Sequence, residues 1–200
     1  MFTDKYKDIR NLVKVFQSID RSLFVDNLYK NKSRLDSPLP IGHDQTISQP
    51  SLVLDMIRLL DVQSGNRILE IGTGTGFQTA ILARLVKEIY TIELIEELAL
   101  KARDRIKELG LYNVNSIIGD GSKGWSENSP YDRIIVTAAC SSIPDTLLQQ
   151  LGTGGKMVIP VGDKSLQNLF LLEKDDKGNL KSYKEYEVMF VEFKGMYGWG

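Results

Sequence analysis

Apolar positions recur along the chain at two different periods, and the change from one to the other divides it. Tyr6, Ile9, Val13 and Phe16 fall three and four residues apart, the spacing of one face of a helix, so residues 4–18 are expected to form an amphipathic helix. From Asn31 to Gln49 the pattern dissolves into polar residues punctuated by Pro38, Pro40 and Gly42. That is a long loop, and a compact domain seldom carries one without using it. Periodicity returns with Leu52, Val53, Met56, Ile57 and Leu60 behind Pro50, a second helix with proline suited to its first turn. Ser48 then stands at or just before a helix N-terminus, where a serine serves as a plain N-cap or as a neutral donor to a bound anion.

From Asp61 onward, short β-branched runs alternate with helical patterns. RILEI (67–71), EIYTIE (88–93), VNSII (114–118), DRIIVT (132–137) and KMVIPV (156–161) read as strands, with helices at about 77–86, 96–109 and 143–151 between them. Such alternation implies right-handed crossovers and a mostly parallel sheet covered on both faces, an α/β doubly wound, Rossmann-like fold. Residues 168–173, a turn at 174–179 and residues 187–193 read as an antiparallel hairpin closing one edge of the sheet. Two hundred residues suit one domain. Its expected parts are N-terminal helices and a loop over 1–60, an α/β core over 61–162 and C-terminal strands over 163–200.

Composition prunes the chemistry. The longest run free of Asp, Glu, Lys and Arg is the 13 residues Ile71–Ala83, short of the roughly 20 apolar residues of a bilayer crossing. The charged N-terminus lacks the apolar stretch of a secretory signal. One cysteine, Cys140, allows no internal disulfide and fits a reducing compartment, so a cytoplasmic location is expected. Lys and Arg number 25 against 26 acids, leaving no overall positive field to hold nucleic acid. One His and one Cys cannot form a four-ligand zinc site, so no metal is expected. Neither G-x-x-x-x-G-K-[ST] nor G-x-S-x-G occurs, which removes the usual triphosphate cradle and the hydrolase elbow.

What remains concentrates at Glu70-Ile71-Gly72-Thr73-Gly74-Thr75-Gly76, which leaves a predicted strand and enters a predicted helix. Glycines there allow a tight turn and close approach to a ligand at the carboxyl edge of the sheet. A dinucleotide fingerprint would place its third glycine at Phe77. No Lys or Arg occurs from Ile68 through Ala83, and Glu70 is expected at the mouth of the loop, an uncompensated carboxylate hostile to phosphate. A ligand bearing an ammonium group and no phosphate suits the loop better, and S-adenosyl-L-methionine is such a ligand. Glu93, ending the second strand, can accept both hydroxyls of a ribose. Asp120, after the third, can accept the amino hydrogens of adenine. Either acid taken singly also fits a solvated loop carboxylate.

Asp36-Ser-Pro-Leu-Pro-Ile-Gly-His43, Gln45-Thr-Ile-Ser-Gln-Pro50, LEIGTGTGFQTAILA (69–83), Gly119-Asp-Gly-Ser-Lys-Gly-Trp125, Ile134–Ala139 and Gly154–Gly162 together resemble the protein-L-isoaspartate O-methyltransferase family. The resemblance implies an S-adenosyl-L-methionine-dependent enzyme, releasing S-adenosyl-L-homocysteine. Such an enzyme methylates the α-carboxylate of L-isoaspartyl residues, and of D-aspartyl ones in some members, to an ester that closes unaided to a succinimide. By position it implies Ser48 as the active-site serine, also touching substrate. Gln45, Thr46, Ile47, Val53, Glu93, Leu94, Asp120 and Gly121 fall on the cofactor side with Glu70, Gly72, Thr73, Gly74 and Gly76 of the loop. Thr137, Ala138, Ala139, Pro160, Val161 and Gly162 fall on the substrate side. Asp44 stands where that family usually has glycine, and Glu192 where it has proline. The expected partners are isoaspartyl proteins and peptides met by a monomer, with no nucleic acid or membrane. Transfer to another acceptor and a non-catalytic binding module are the competing readings.

Overall fold

The structure, a computed structural model, describes residues 2–199, with side chains from Ile9 onward. Helix α1 spans Phe2–Ser18. The Tyr6 end of its predicted face lies outside the described side chains. Leu12 is buried, Val15 and Phe16 pack on the core, and Ile9 is more than a third exposed, so the buried stripe is rotated slightly from the predicted one. Two 3-10 turns follow, Arg21–Phe24 and Asn27–Lys32.

The segment expected as a plain loop instead holds a small hairpin, β1 (Leu39–Gly42) against β2 (Gln45–Ile47). Its tip residues His43 and Asp44 both take positive φ, 55° and 58°, as the mirror-image hairpin turns require. Neither is glycine, which is why the turn is hard to read from the sequence. Helix α2 (Pro50–Leu60) follows with proline in its first turn.

The central sheet comprises β3 (Arg67–Ile71), β4 (Glu88–Glu93), β5 (Val114–Ile118), β6 (Tyr131–Val136), β7 (Leu151–Gly162), β8 (Gln167–Lys174) and β9 (Leu180–Val188). Their order is β5-β4-β3-β6-β7-β8-β9, parallel through β7 and antiparallel beyond it. Helices α3 (Phe77–Ala83) and α4 (Glu96–Glu108) connect the strands on one side of the order, and α5 (Asp145–Gln150) leads into β7. The chain winds outward from β3 to β5, then returns to β6. The carboxyl ends of β3 and β6 therefore flank the point where the order reverses, the place where open α/β sheets bind ligands.

The C-terminal hairpin exists, but its second strand is Leu180–Val188 and not 187–193. Residues 180–187 are all exposed, so this edge strand carries no apolar alternation to betray it, and its lysines and glutamates suit an open edge. The apolar run Met189–Phe193 crosses the end of the sheet instead, burying Phe190 and Phe193. It pairs its backbone with Ala139, whose N–H donates to the Val191 carbonyl while the Phe193 N–H donates to the Ala139 carbonyl, both at 2.9 Å. Its alternation records burial, not ladder pairing.

Every residue of α3 is buried, because the N-terminal segment covers it. Phe24 meets Phe77 edge to face at 5.4 Å, with Phe16 against the same ring at 6.0 Å, and the Arg105 guanidinium lies 5.4 Å over Phe24. Among the described residues, no helix is long and apolar enough to cross a membrane. Replacing Phe24, which is fully buried, by alanine is expected to cost about 3–5 kcal/mol of stability, read as a lowered urea midpoint. A loss below about 1 kcal/mol would show that the site collapses around the change.

Candidate active site

Three chain segments meet at the carboxyl ends of β3 and β4. The glycine loop supplies the floor. Gly72, Gly74 and Gly76 take φ of 91°, 54° and 87°, and a Cβ at Gly72 would stand 2.2 Å from the Thr137 hydroxyl, so that position excludes any side chain. The Thr137 hydroxyl shares its one proton between the Ile71 and Gly72 carbonyls, at 3.0 and 2.8 Å, tying the loop to the end of β6. Glu93 ties it on the other side: one carboxylate oxygen accepts the Gly74 N–H at 2.8 Å and the other the Ile95 N–H at 3.0 Å. Each oxygen keeps a second lone pair, and Glu93 lines the cleft.

Glu70 is not at the mouth. It is fully buried, and its carboxylate accepts from Thr79 at 2.5 Å, Thr91 at 2.8 Å and Gln78 at 3.2 Å. It fastens β4 and the first turn of α3 to β3 beneath the loop. Burial pushes its pKa up to about 7 against those three donors, with Glu93 adding to the rise. At the glycine loop the carboxylate that lines the cleft is Glu93, with Glu192 on the opposite wall. The loop is also not free of cations in space: Arg105 of α4 donates to the Thr75 carbonyl at 2.6 Å, a contact no local reading of residues 68–83 reveals.

The β1–β2 hairpin forms a wall, with Gln45, Thr46, Ile47 and Ser48 facing the same space. Its tip is held to α4 by His43, 3.0 Å from Glu97, and Asp44 is exposed there, outside the cleft lining. Ser48 precedes the helix rather than capping it. The N-cap of α2 is Gln49, without a side-chain cap bond of its own, and Asp36 serves the helix end instead, accepting the Ser51 N–H at 2.8 Å and the Gln49 side chain at 2.9 Å. Those bonds, the Ser51 N–H first, hold Asp36 below the usual carboxylate range. The Ser48 hydroxyl has no hydrogen-bond partner among the described residues.

The third wall is Val191–Lys194, of which Val191–Phe193 were expected in a strand. These walls enclose one open cleft. Val53, Gly72, Thr73, Gly74, Leu94, Gly121, Thr137 and Ala138 line it. Gly76 does not; it caps α3 facing Ala102 and Ile106. Asp120 caps the 3-10 turn Gly121–Lys123 through the Ser122 N–H at 2.9 Å and lies against Gly195, beside the cleft rather than on its lining.

Ala139 is fully buried. Pro160, Val161 and Gly162 are likewise away from the cleft. They pair with β8 and with Cys140, and Trp199 of the C-terminal segment donates to the Gly162 carbonyl at 2.7 Å. They end β7, one strand beyond the reversal point.

Against known proteins, a family model described as protein-L-isoaspartate(D-aspartate) O-methyltransferase matches residues 3–197. The protein-L-isoaspartate O-methyltransferase 2 of Archaeoglobus fulgidus is 46% identical over 192 residues, covering 94% of this chain and 87% of that protein. A solved structure named protein-L-isoaspartate O-methyltransferase superposes with a TM-score of 0.87 at 29% identity, over 99% of this chain and 67% of that one. A Plasmodium falciparum chain described as a beta-aspartate methyltransferase, solved with S-adenosyl-L-homocysteine, shares the fold with a TM-score of 0.79. It is 24% identical over 92% of this chain and 90% of its own.

The raised pKa of Glu70 carries a pH signature. Its unfolded value is near 4.5 and its folded value near 7, so folding takes up a proton between them. Its contribution to stability is full below pH 4.5 and is lost as the pH rises through 7. Relative to Glu70→Gln, the wild-type protein should therefore lose up to roughly 3 kcal/mol between those limits. Urea unfolding of both proteins across pH 4.5–7.5 checks this, and parallel pH profiles would place Glu70 outside the titration.

Proposed function

Because the chain belongs to the protein-L-isoaspartate (D-aspartate) O-methyltransferase family, we propose that this cleft joins the two reactants of that activity, cofactor on the glycine-loop side and an isoaspartyl carboxylate on the Ser48 side. The observation that carries the reading is the convergence of Gly72–Gly74, Glu93 and Ser48 on one space. The residues fit the cofactor. The glycine loop allows close approach at Gly72, where a Cβ has no room, and Glu93 offers two acceptor lone pairs at the end of β4 for ribose hydroxyls. Phe77, Ile92 and Leu98 supply apolar wall. Asp120, beside the cleft, is the acceptor for the adenine amino group.

When bound, S-adenosyl-L-methionine supplies a methyl group on a sulfonium, which the substrate α-carboxylate takes as a methyl ester, leaving S-adenosyl-L-homocysteine. The chain needs no general base, because a carboxylate is already ionised at neutral pH, its pKa lying about three units lower. Its residues orient and exclude water, contributions that together are worth up to roughly 7–11 kcal/mol. Ser48 donates to the carboxylate without protonating it. Thr137, its hydroxyl committed to the Ile71 and Gly72 carbonyls, holds the loop rather than the substrate. The ester then closes to a succinimide in solution. One domain acting as a cytoplasmic monomer on damaged proteins and peptides, without nucleic acid or membrane, completes the reading.

An isoaspartyl peptide and its normal aspartyl twin, given labelled cofactor, test this. Label is expected on the isoaspartyl peptide at a rate at least about a hundredfold above its twin, the margin a site built for one polar arrangement achieves. Ser48→Ala should lower kcat by about tenfold or more at unchanged cofactor affinity, since it removes a donor that orients the substrate. Equal labelling of both peptides would point to a different acceptor.

A further inference from the structure

Arg21 is 6% exposed and makes no ion pair among the described residues. Its guanidinium is spent on main-chain carbonyls. One terminal nitrogen donates to Ser33 and Leu35, both at 3.1 Å, and the other to Ser37 at 2.9 Å and Ser48 at 3.1 Å. Its Nε is buried without a partner. Burial pushes the Arg21 pKa down, with Asp36 near enough to offset part of that, and burying a cation without a hydrogen-bonded carboxylate is costly. What the planar fork achieves is geometric. It gathers three successive alternate carbonyls of the Ser33–Ser37 turn and joins that turn to Ser48, just after β2.

The same turn carries Asp36, whose carboxylate holds the Gln49 side chain and the Ser51 N–H on the far side of Ser48. On the near side Ile47 pairs with Leu39 across the hairpin. Ser48 is thus clamped before, at and after its own position, while its hydroxyl is left without a partner among the described residues. Arg21 itself does not line the cleft.

We propose that Arg21 is a positioning residue for methyl transfer, fixing the Ser48 hydroxyl through the Ser48 carbonyl and the turn that bears Asp36. The proposal rests on the assignment of Ser48 above. It separates Arg21 from the covering of α3 by its neighbour Phe24, which is a matter of stability alone.

Arg21→Lys keeps the charge but cannot span four carbonyls. It is expected to bind S-adenosyl-L-homocysteine within about twofold of wild type in calorimetry and to lower kcat on the isoaspartyl peptide by about tenfold or more with KM little changed, since small misplacements at a reacting centre carry such losses. In a Ser48→Ala background the same change should cost no further activity beyond about twofold, because the two residues act as one unit. Should Arg21→Lys fail to fold, Arg21→Gln, neutral and of similar reach, carries the same cycle. Wild-type kcat in the folded variant, or an equal fold-loss with and without Ser48, would overturn the proposal. Full activity of Ser48→Ala by itself would overturn the assignment beneath it.

Discussion

The hydrogen bond from the Gly74 N–H to Glu93 joins the loop after β3 to the end of β4, and the rest of the cleft is arranged around it. The loop turns through three glycines at positive φ, conformations that cost side-chain-bearing residues energy, and a turn made of such residues is not self-supporting. It is held from three directions: Glu93 in front, Thr137 at the side and Glu70 beneath with Gln78, Thr79 and Thr91. Because Glu93 is both a support and a wall of the cleft, loop shape and ligand recognition are coupled in one carboxylate.

The parallel sheet provides the floor, and two segments from the chain ends provide the walls. The N-terminal one arrives as a hairpin whose tip reaches α4 through His43 and Glu97, with Ser48 at its exit. The C-terminal one crosses the sheet end at Val191–Lys194 and is pinned by Trp199, whose main-chain N–H donates to Glu192 at 2.8 Å and whose indole donates to Gly162. Glu192, where the family usually has proline, is thereby a structural acceptor in this chain. The first is tied to α4 side chain to side chain, the second to backbone groups at Ala139 and Gly162 far away in sequence.

The parallel core was legible in the sequence because its strands are short β-branched runs alternating with helical patterns. β3, β4 and β5 match their expected limits to the residue. The glycine loop and Glu93 were legible for the same reason, as features at the ends of readable strands. β9 was not, since an edge strand exposed throughout needs no apolar residue. Glu70 was misplaced because a residue's position in a motif does not say which way its side chain turns, and here alternation along β3 turns it under the loop. Arg21 and Arg105 left no local trace, as their partners are carbonyls, which every residue has.

Calorimetric titration of S-adenosyl-L-homocysteine into the wild-type chain and into Glu93→Ala tests the central claim most directly. If Glu93 both holds the loop and receives the ribose, affinity should fall by more than about tenfold, since hydrogen bonds to a charged group contribute roughly 1.5–3 kcal/mol each. Affinity equal to wild type in a folded variant would contradict it.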